Sequence, residues 1–254
     1  MRTFYVQSLG CKVNRVQSDM IAAALIARGA CPAGRDDADL IVIDSCTVTG
    51  EADAKTRKAV RQAVRARAGR RVIVTGCAAT IDPAGLSAID SHVIVEADKA
   101  RAADTAAALL GLAAADSPHT TLIRAGEGFR TRMDVMVQDG CDNACTYCIV
   151  HTARGKSISR PADEVVREVA EATLAGVREV VLTGINIGSY LARDGVPTNL
   201  VTLLERLLDE TDIGRLRISS IEPLDVSTRL IDTIVSSRGR ICAHLHLPLQ
   251  SGCD

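Results

Sequence analysis

Leu40–Thr49, LIVIDSCTVT, sets the reading of the first half of the chain. LIVID is a short apolar run of the kind buried in a parallel sheet. Thr49 or Asp53 is placed to cap a helix that runs through Ala68 to Gly69 and carries basic residues throughout. The same alternation extends to both sides. Thr3–Leu9 reads as a strand, and Ser18–Arg28 as an amphipathic helix closed by Gly29. Beyond the capped helix come a strand at Arg71–Thr75, a short helix at Asp82–Ile89, a strand at Val93–Val95 and an Ala-rich helix at Asp98–Leu110. Strand and helix in strict turn imply a parallel sheet with helices on both faces.

Cysteine placement turns that fold into a candidate site. Cys11, Cys46 and Cys77, in SLGCKVN, DSCTVT and TGCAAT, each follow an expected strand by two residues. The carboxyl ends of parallel strands lie along one edge, where ligands bind. Thiols 35 and 31 residues apart in sequence can therefore converge. Any one of them alone reads as an ordinary buried cysteine. The same offset three times over, beside Gly or Ser, points to a shared metal site. Cys31 follows a helix and reads as structural.

A break at Gly111–Arg132, rich in Ala, Ser, Pro, Gly and charge, reads as a linker between domains 1–110 and 133–254. The second domain opens with a strand at Met133–Gln138, which delivers Gly140–Cys148, GCDNACTYC. Its Cys-x3-Cys-x2-Cys spacing gathers Cys141, Cys145 and Cys148 into one loop. Three thiolates are one short of a closed structural site, so a four-iron cluster held there keeps one iron open. Zinc is the alternative, with His151 completing a Cys3His set. Past an extended Gly155–Arg160, Pro161 opens a helix to Leu174 and Ala175, and a strand at Val177–Thr183 ends in Gly184-Ile185-Asn186. Helix Asn199–Glu210, strand Leu216–Ile221, helix Val226–Ser236 and strand Ala243–Leu247 complete a full or partial barrel with its functional loops on the carboxyl face. Asn186, Ser220, Glu222 and Gln250 stand at those strand ends, as cofactor contacts or as ordinary caps and turns.

A chain of 254 residues with net charge −1 has room for two cores and no overall basic field. No apolar run is long enough to span a membrane, and MRTFYVQSLG enters a strand without a signal-peptide pattern, which places the chain in the cytoplasm. Nine cysteines are too sparse for a disulfide scaffold and favour metal or catalytic roles. Arg154, Lys156 and Arg160, and the basic helix Lys55–Arg71, read as solvated surface, with phosphate contact the lesser option.

Cys-x3-Cys-x2-Cys with Tyr147 before its last cysteine resembles the radical S-adenosylmethionine (SAM) signature. QDGCDNACTYCIVHTARGKSISR is similar to the methylthiotransferase branch, whose members carry proline where this chain has His151. VREVVLTGINIGSY and HLHLPLQSGCD match the same family's partial barrel. LGCKVN, SCTVTGEADAKTRK and VTGCAAT resemble most the enzymes that modify threonylcarbamoyladenosine in tRNA, a choice resting on Lys12, Val13, Asn14, Thr47, Val48 and Thr49. Branches acting on isopentenyladenosine or on a ribosomal protein differ around the first or second cysteine. The resemblance implies two [4Fe-4S] clusters. One, on Cys141, Cys145 and Cys148, cleaves S-adenosylmethionine to a radical, with Tyr147, Asn186, Ser220, Glu222 and Gln250 near the cofactor. The other, on Cys11, Cys46 and Cys77, carries sulfur. The implied partners are the tRNA anticodon stem-loop, an external electron donor and a sulfur donor, without a membrane. Members of the family continue through further barrel strands and a TRAM domain, so the resemblance implies a fragment, with an incomplete barrel at 133–254.

Overall fold

The structure, a computed structural model, describes residues 2–113, 132–193 and 195–252. The expected linker at 111–132 lies almost wholly outside these residues. By their contacts the residues divide into two units, Met1–Leu122 with Ala144–Arg154, and Ile123–Asn143 with Gly155–Asp254.

The first unit is built on β1 (Thr3–Ser8), β2 (Cys31–Pro32), β3 (Leu40–Ser45), β4 (Arg71–Gly76) and β5 (Val93–Val95). They form one parallel sheet in the order β2-β1-β3-β4-β5. Its helices are α1 (Lys12–Ala27), α2 (Gly50–Ala66), α3 (Cys77–Ile81), α4 (Pro83–Ser87) and α5 (Ala102–Leu109). Alternation along β3 explains the two-sided sheet, because successive side chains point to opposite faces. Leu40 and Val42 pack with Phe4, Leu25, Ala102 and Ala106 on one side. Ile41 and Ile43 pack with Val60, Val72, Val74 and Leu86 on the other. Thr49 caps α2 by accepting from Ala52 N at 3.1 Å, while Glu51 and Asp53 stand in its first turn and Arg65 in its last, matching the helix dipole.

Two expected helix starts move by four residues or more. The first helix starts at Lys12, six residues before Ser18, because Cys11 is its N-cap and Val13 and Asn14 turn inward. The Ala-rich helix starts at Ala102, because Asp98 is held in a turn in which its Oδ1 accepts from Ala100 N at 3.0 Å.

The second unit holds a parallel sheet of β6 (Arg132–Met136), β9 (Glu179–Thr183) and β12 (Arg215–Ile218), in the order β12-β9-β6. A small antiparallel pair, β7 (Gln138–Asp139) and β8 (Ile158–Ser159), follows β6, and another, β10 (Leu191–Ala192) with β11 (Thr198–Asn199), follows β9. α6 (Val150–Arg154) groups with the first unit; α7 (Ala162–Leu174), α8 (Leu200–Glu210) and α9 (Thr228–Ser236) belong to the second. Val135, Val180, Leu182, Leu203, Leu207, Leu216 and Ile218 fill its core. The expected strand at Ala243–Leu247 is absent. The segment makes one isolated bridge, Ser220 with His246, and Leu216 bridges Ile241 just before it, which does not make a ladder.

Candidate metal centres

The strand order of the first sheet decides where a ligand can enter. From β1 the chain goes outward to β2, then back across to β3, so the connections diverge between β1 and β3. Such a switch point opens a crevice at the carboxyl ends of the strands. Ser8, Asp44 and Thr75 are level with one another across the sheet. Cys46 and Cys77 each lie two residues beyond that level, and Cys11 lies three beyond it, so all three leave from one edge.

Two glycines allow these loops to close on β3. Gly10 has φ +146°, and a Cβ placed on it would lie 2.9 Å from Cys46 Cβ. Gly76 has φ +86°, and its Cβ would meet Asp44 Oδ1 at 2.4 Å and Ser45 O at 2.6 Å. Only glycine permits both the backbone and the approach. Ser45 then works as a hub: its hydroxyl donates to Thr75 O and accepts from Ala78 N at 3.1 Å and Ala79 N at 3.3 Å, capping the short helix that Cys77 heads. Thr56 Oγ1 donates to Cys46 O at 3.0 Å, fixing the second loop from α2.

A buried polar network underlies Cys11. The Cys11 thiol donates to Asn14 Oδ1 at 3.3 Å, and Asn14 Nδ2 donates to Asp44 Oδ1 at 2.6 Å and Ser45 O at 2.9 Å. Ser18 Oγ donates to Asp44 Oδ2 at 3.1 Å. Burial pushes the Asp44 carboxyl up to about 6, while the hydrogen bonds from Asn14 and Ser18 and the charges of Arg154 and Lys99 pull it back. Burial likewise pushes the Cys77 thiol up, against the pull of the same two cations, with Cys46 and Cys11 adding to the rise.

These residues fit an iron–sulfur cluster. The donors are soft thiols, and the Asp44 carboxylate beside them is already engaged by Asn14 and Ser18. Among the described residues, no group of three or more His, Cys, Asp or Glu is set as ligands of one ion, whether these cysteines or Cys141, Cys145, Cys148 and His151. Thiolates of a cluster bind different irons and stand farther apart than the ligands of a single zinc. The eight described cysteines are all free of disulfides.

The second cysteine loop leaves from β7. Gln138, fully buried, donates through Nε2 to Asp139 O at 3.0 Å, Gly140 O at 2.6 Å and Ser157 Oγ at 2.9 Å. Its Oε1 accepts from Ile185 N at 2.9 Å and Asn186 N at 3.0 Å, so one amide ties the loop base to the carboxyl end of β9. Gly140, at φ +74°, passes so close to Lys156 O that a Cβ would stand 1.9 Å from it. Cys141 N donates to Gly155 O, and Asp142 Oδ1 accepts from Ser157 N. Cys145 and Cys148 group with the first unit, where Cys148 N donates to Cys145 O at 3.0 Å. All three thiols are half-buried.

The remaining expected site residues divide by role. Asn186 caps the 3-10 turn Ile187–Ser189, accepting from Gly188 N at 3.2 Å. Ser220 Oγ pairs with His246 Nδ1 at 2.9 Å. Glu222 Oε1 accepts from Asn143 Nδ2, two residues past Cys141, at 2.9 Å. Tyr147 and Gln250 are exposed, as is His151, in α6. Sequence reasoning passed over Gln138, Ser45 and Asp44, and treated Arg154 as surface. The one signal for Gln138 was its place directly before the loop.

Two family models match. The uncharacterized protein family UPF0004 covers residues 3–96, the whole first sheet, and the radical SAM superfamily covers residues 135–254. The threonylcarbamoyladenosine tRNA methylthiotransferase MtaB of Chlamydia pneumoniae is 35% identical over 99% of this chain and 58% of its own length. Over nearly its whole length the chain is thus similar to a radical SAM methylthiotransferase. Likewise, the MtaB of Thermotoga maritima is 31% identical over 100% of the chain, and a tRNA-2-methylthio-N(6)-dimethylallyladenosine synthase of Syntrophobacter fumaroxidans is 33% identical over 100%. The chain spans 58–59% of the length of these relatives. In fold, the chain is similar to the radical S-adenosylmethionine methyltransferase TsrM of Kitasatospora setae, solved with cobalamin and a [4Fe-4S] cluster, with a TM-score of 0.64 at 13% identity over 97% of this chain and 60% of that one.

Proposed function

We propose that the protein containing these two units is a tRNA methylthiotransferase that replaces the C2 hydrogen of N6-threonylcarbamoyladenosine, beside the anticodon, with a methylthio group. The observation that supports this reading is the presence of two separate three-cysteine sets in one chain, the first on loops that leave one edge of the sheet. When bound, a cluster on Cys141, Cys145 and Cys148 supplies the electron that cleaves S-adenosylmethionine, and a cluster on Cys11, Cys46 and Cys77 supplies the sulfur.

The chain's own residues prepare both places. Gln138 fixes the base of the second loop, and Glu222 holds Asn143 within it. Asn186, Ser220 and Gln250 are the side chains that bind the polar groups of S-adenosylmethionine in this reading, with Tyr147 flanking the cluster. Asn14 orients Cys11. A second S-adenosylmethionine supplies the methyl group, and electron and sulfur donors come from outside the chain. The work is done in the cytoplasm, where tRNA is held. Lys12, Val13, Asn14, Thr47, Val48 and Thr49 favour the threonylcarbamoyl substrate over the dimethylallyl one.

The test is mass spectrometry of tRNA nucleosides from a strain deleted for the gene and complemented with wild type or with Cys11→Ala. Loss of 2-methylthio-N6-threonylcarbamoyladenosine in both the deletion and the variant is expected. Loss of the dimethylallyl derivative instead would move the substrate, and loss of neither would overturn the activity. For the metal, the anaerobically reconstituted protein should hold about eight irons, falling to about four in Cys141→Ala/Cys145→Ala/Cys148→Ala. Stoichiometric zinc removed by His151→Ala would instead support the Cys3His site.

A further inference from the structure

Arg154 ends α6, the short helix that starts two residues after Cys148. Its Nη2 donates to Asn14 Oδ1 at 2.7 Å and stands 3.9 Å from Cys11 Sγ. The same Asn14 oxygen accepts the Cys11 thiol, and the Asn14 amide nitrogen reaches Asp44 and Ser45. One guanidinium therefore bears on the side chain that joins the β1–α1 loop to the end of β3. α6 is itself held in place. Lys99 Nζ donates to Ala153 O at 3.0 Å, Ala153 is fully buried, and α6 packs on α3, the helix that Cys77 heads. The positive charges of Arg154 and Lys99 both act on Cys77. The segment that leaves the second cysteine loop is thus part of the wall of the first cysteine set.

We propose that Arg154 is a positioning residue for the first thiol set, contributed by the second cysteine loop. Its guanidinium donates to Asn14 Oδ1 and faces Cys11 Sγ, so that Cys11, once a thiolate with no proton to give Asn14, accepts from Arg154 and has positive charge beside it. This inference rests on the two-cluster reading. A guanidinium suits the role because it stays charged and can donate to a carbonyl oxygen and face a sulfur at once. Metal at Cys145 and Cys148 fixes the chain that enters α6, so it favours the Arg154 placement that holds metal at Cys11, Cys46 and Cys77. Such coupling between binding sites is reciprocal.

The experiment uses the complete protein, reconstituted anaerobically, in the Cys141→Ala/Cys145→Ala/Cys148→Ala background, where only the first set carries iron. Iron release to a ferrous chelator and the midpoint potential from electron paramagnetic resonance titration are compared for Arg154, R154Q and R154K. R154Q should release iron about tenfold faster, the usual scale for losing a residue that orients a metal ligand. It should also lower the midpoint, because removing a nearby positive charge disfavours the reduced cluster. R154K, which keeps the charge, should return the midpoint toward that of Arg154, which a merely structural role would not predict. If the background protein holds about four irons and R154Q matches it in both release and midpoint, with far-UV circular dichroism unchanged, the inference is overturned while the two-cluster reading stands. If the background protein holds no iron, the two-cluster reading fails and takes the inference with it. The coupling has its own check: restoring Cys141, Cys145 and Cys148 should slow iron release from the first set, and an unchanged rate would refute it.

Discussion

Gly76→Ala tests whether the first cysteine set is built by the close approach of its loops to β3. Gly76 has φ +86° and ψ −162°, a region populated almost only by glycine, and alanine there is strained by about 1–3 kcal/mol. The added methyl would also fall 2.4 Å from Asp44 Oδ1, 2.6 Å from Ser45 O and 2.8 Å from Ser45 N. Two of those three atoms are backbone inside a sheet and cannot swing away, so overpacking adds about 1–3 kcal/mol. Together the change should cost about 2–6 kcal/mol. Gly69→Ala is the matched control, at φ +74° with nothing within 4 Å of its Cβ, and should cost only the backbone part, about 1 kcal/mol. Native-state hydrogen exchange reads the difference locally, at the amides of Ile43 and Val74, which a whole-chain melt of two units would blur. Protection there should fall by a further factor of about ten or more in Gly76→Ala relative to Gly69→Ala. Equal losses in the two variants would refute the packing argument and leave only backbone strain.

Three other outcomes follow from the same contacts. Gln138→Leu removes an amide that serves five buried or half-buried partners, and should destabilise the second unit by about 3 kcal/mol or more, read by exchange at Val180 and Leu182; a loss under about 1 kcal/mol would show that the loop base is held otherwise. Asp39 has its carboxyl held below the ordinary value by the Thr3 hydroxyl and backbone N–H, so its stabilising effect is full above the unfolded pKa and is lost as pH falls through the lower, folded one. Asp39→Asn should flatten the acid limb of a stability–pH curve for the first sheet, and an identical limb would remove Asp39 as its source. Thr49→Ala deletes the α2 cap and should cost about 1 kcal/mol in the exchange of the first-turn amides, with Thr49→Ser recovering most of it.

Much of this was legible in the chain because the relevant segments are buried on both faces. LIVID reads as a central parallel strand since every residue of β3 is buried, and a fully apolar run has few other fates. Cys46 then follows from where that run stops. α3 and the β7–β8 pair were not legible, because they offer no periodicity to read; they are fixed by Ser45, Gln138, Gly76 and Gly140. At Ala243–Leu247 the pattern was present and the strand was not, since alternation states only that a segment has two faces and not that a neighbour is there to pair with it. Asn186 shows the limit for polar residues. Its side chain satisfies the local backbone, and only geometry separates that role from a ligand contact. Arg154 was illegible for a similar reason, because its partner Asn14 is 140 residues away.

The discontinuity of the first unit has a consequence for its synthesis. Everything in its sheet is made by Val95, yet α6 comes from residues that follow β6 and β7 of the other unit. Emerging vectorially, the amino-terminal sheet stands without α6 until the chain has grown from Leu109 to Arg154, a delay of about 2–9 s at ordinary translation rates. During that interval the thiols of Cys11 and Cys77 have their strands but not their arginine. The Cys141–Cys148 loop, by contrast, needs no distant partner to bring its sulfurs near one another. The segment that closes the first unit therefore arrives directly behind the loop with which it shares a chain, and the order of assembly is written into the order of the sequence.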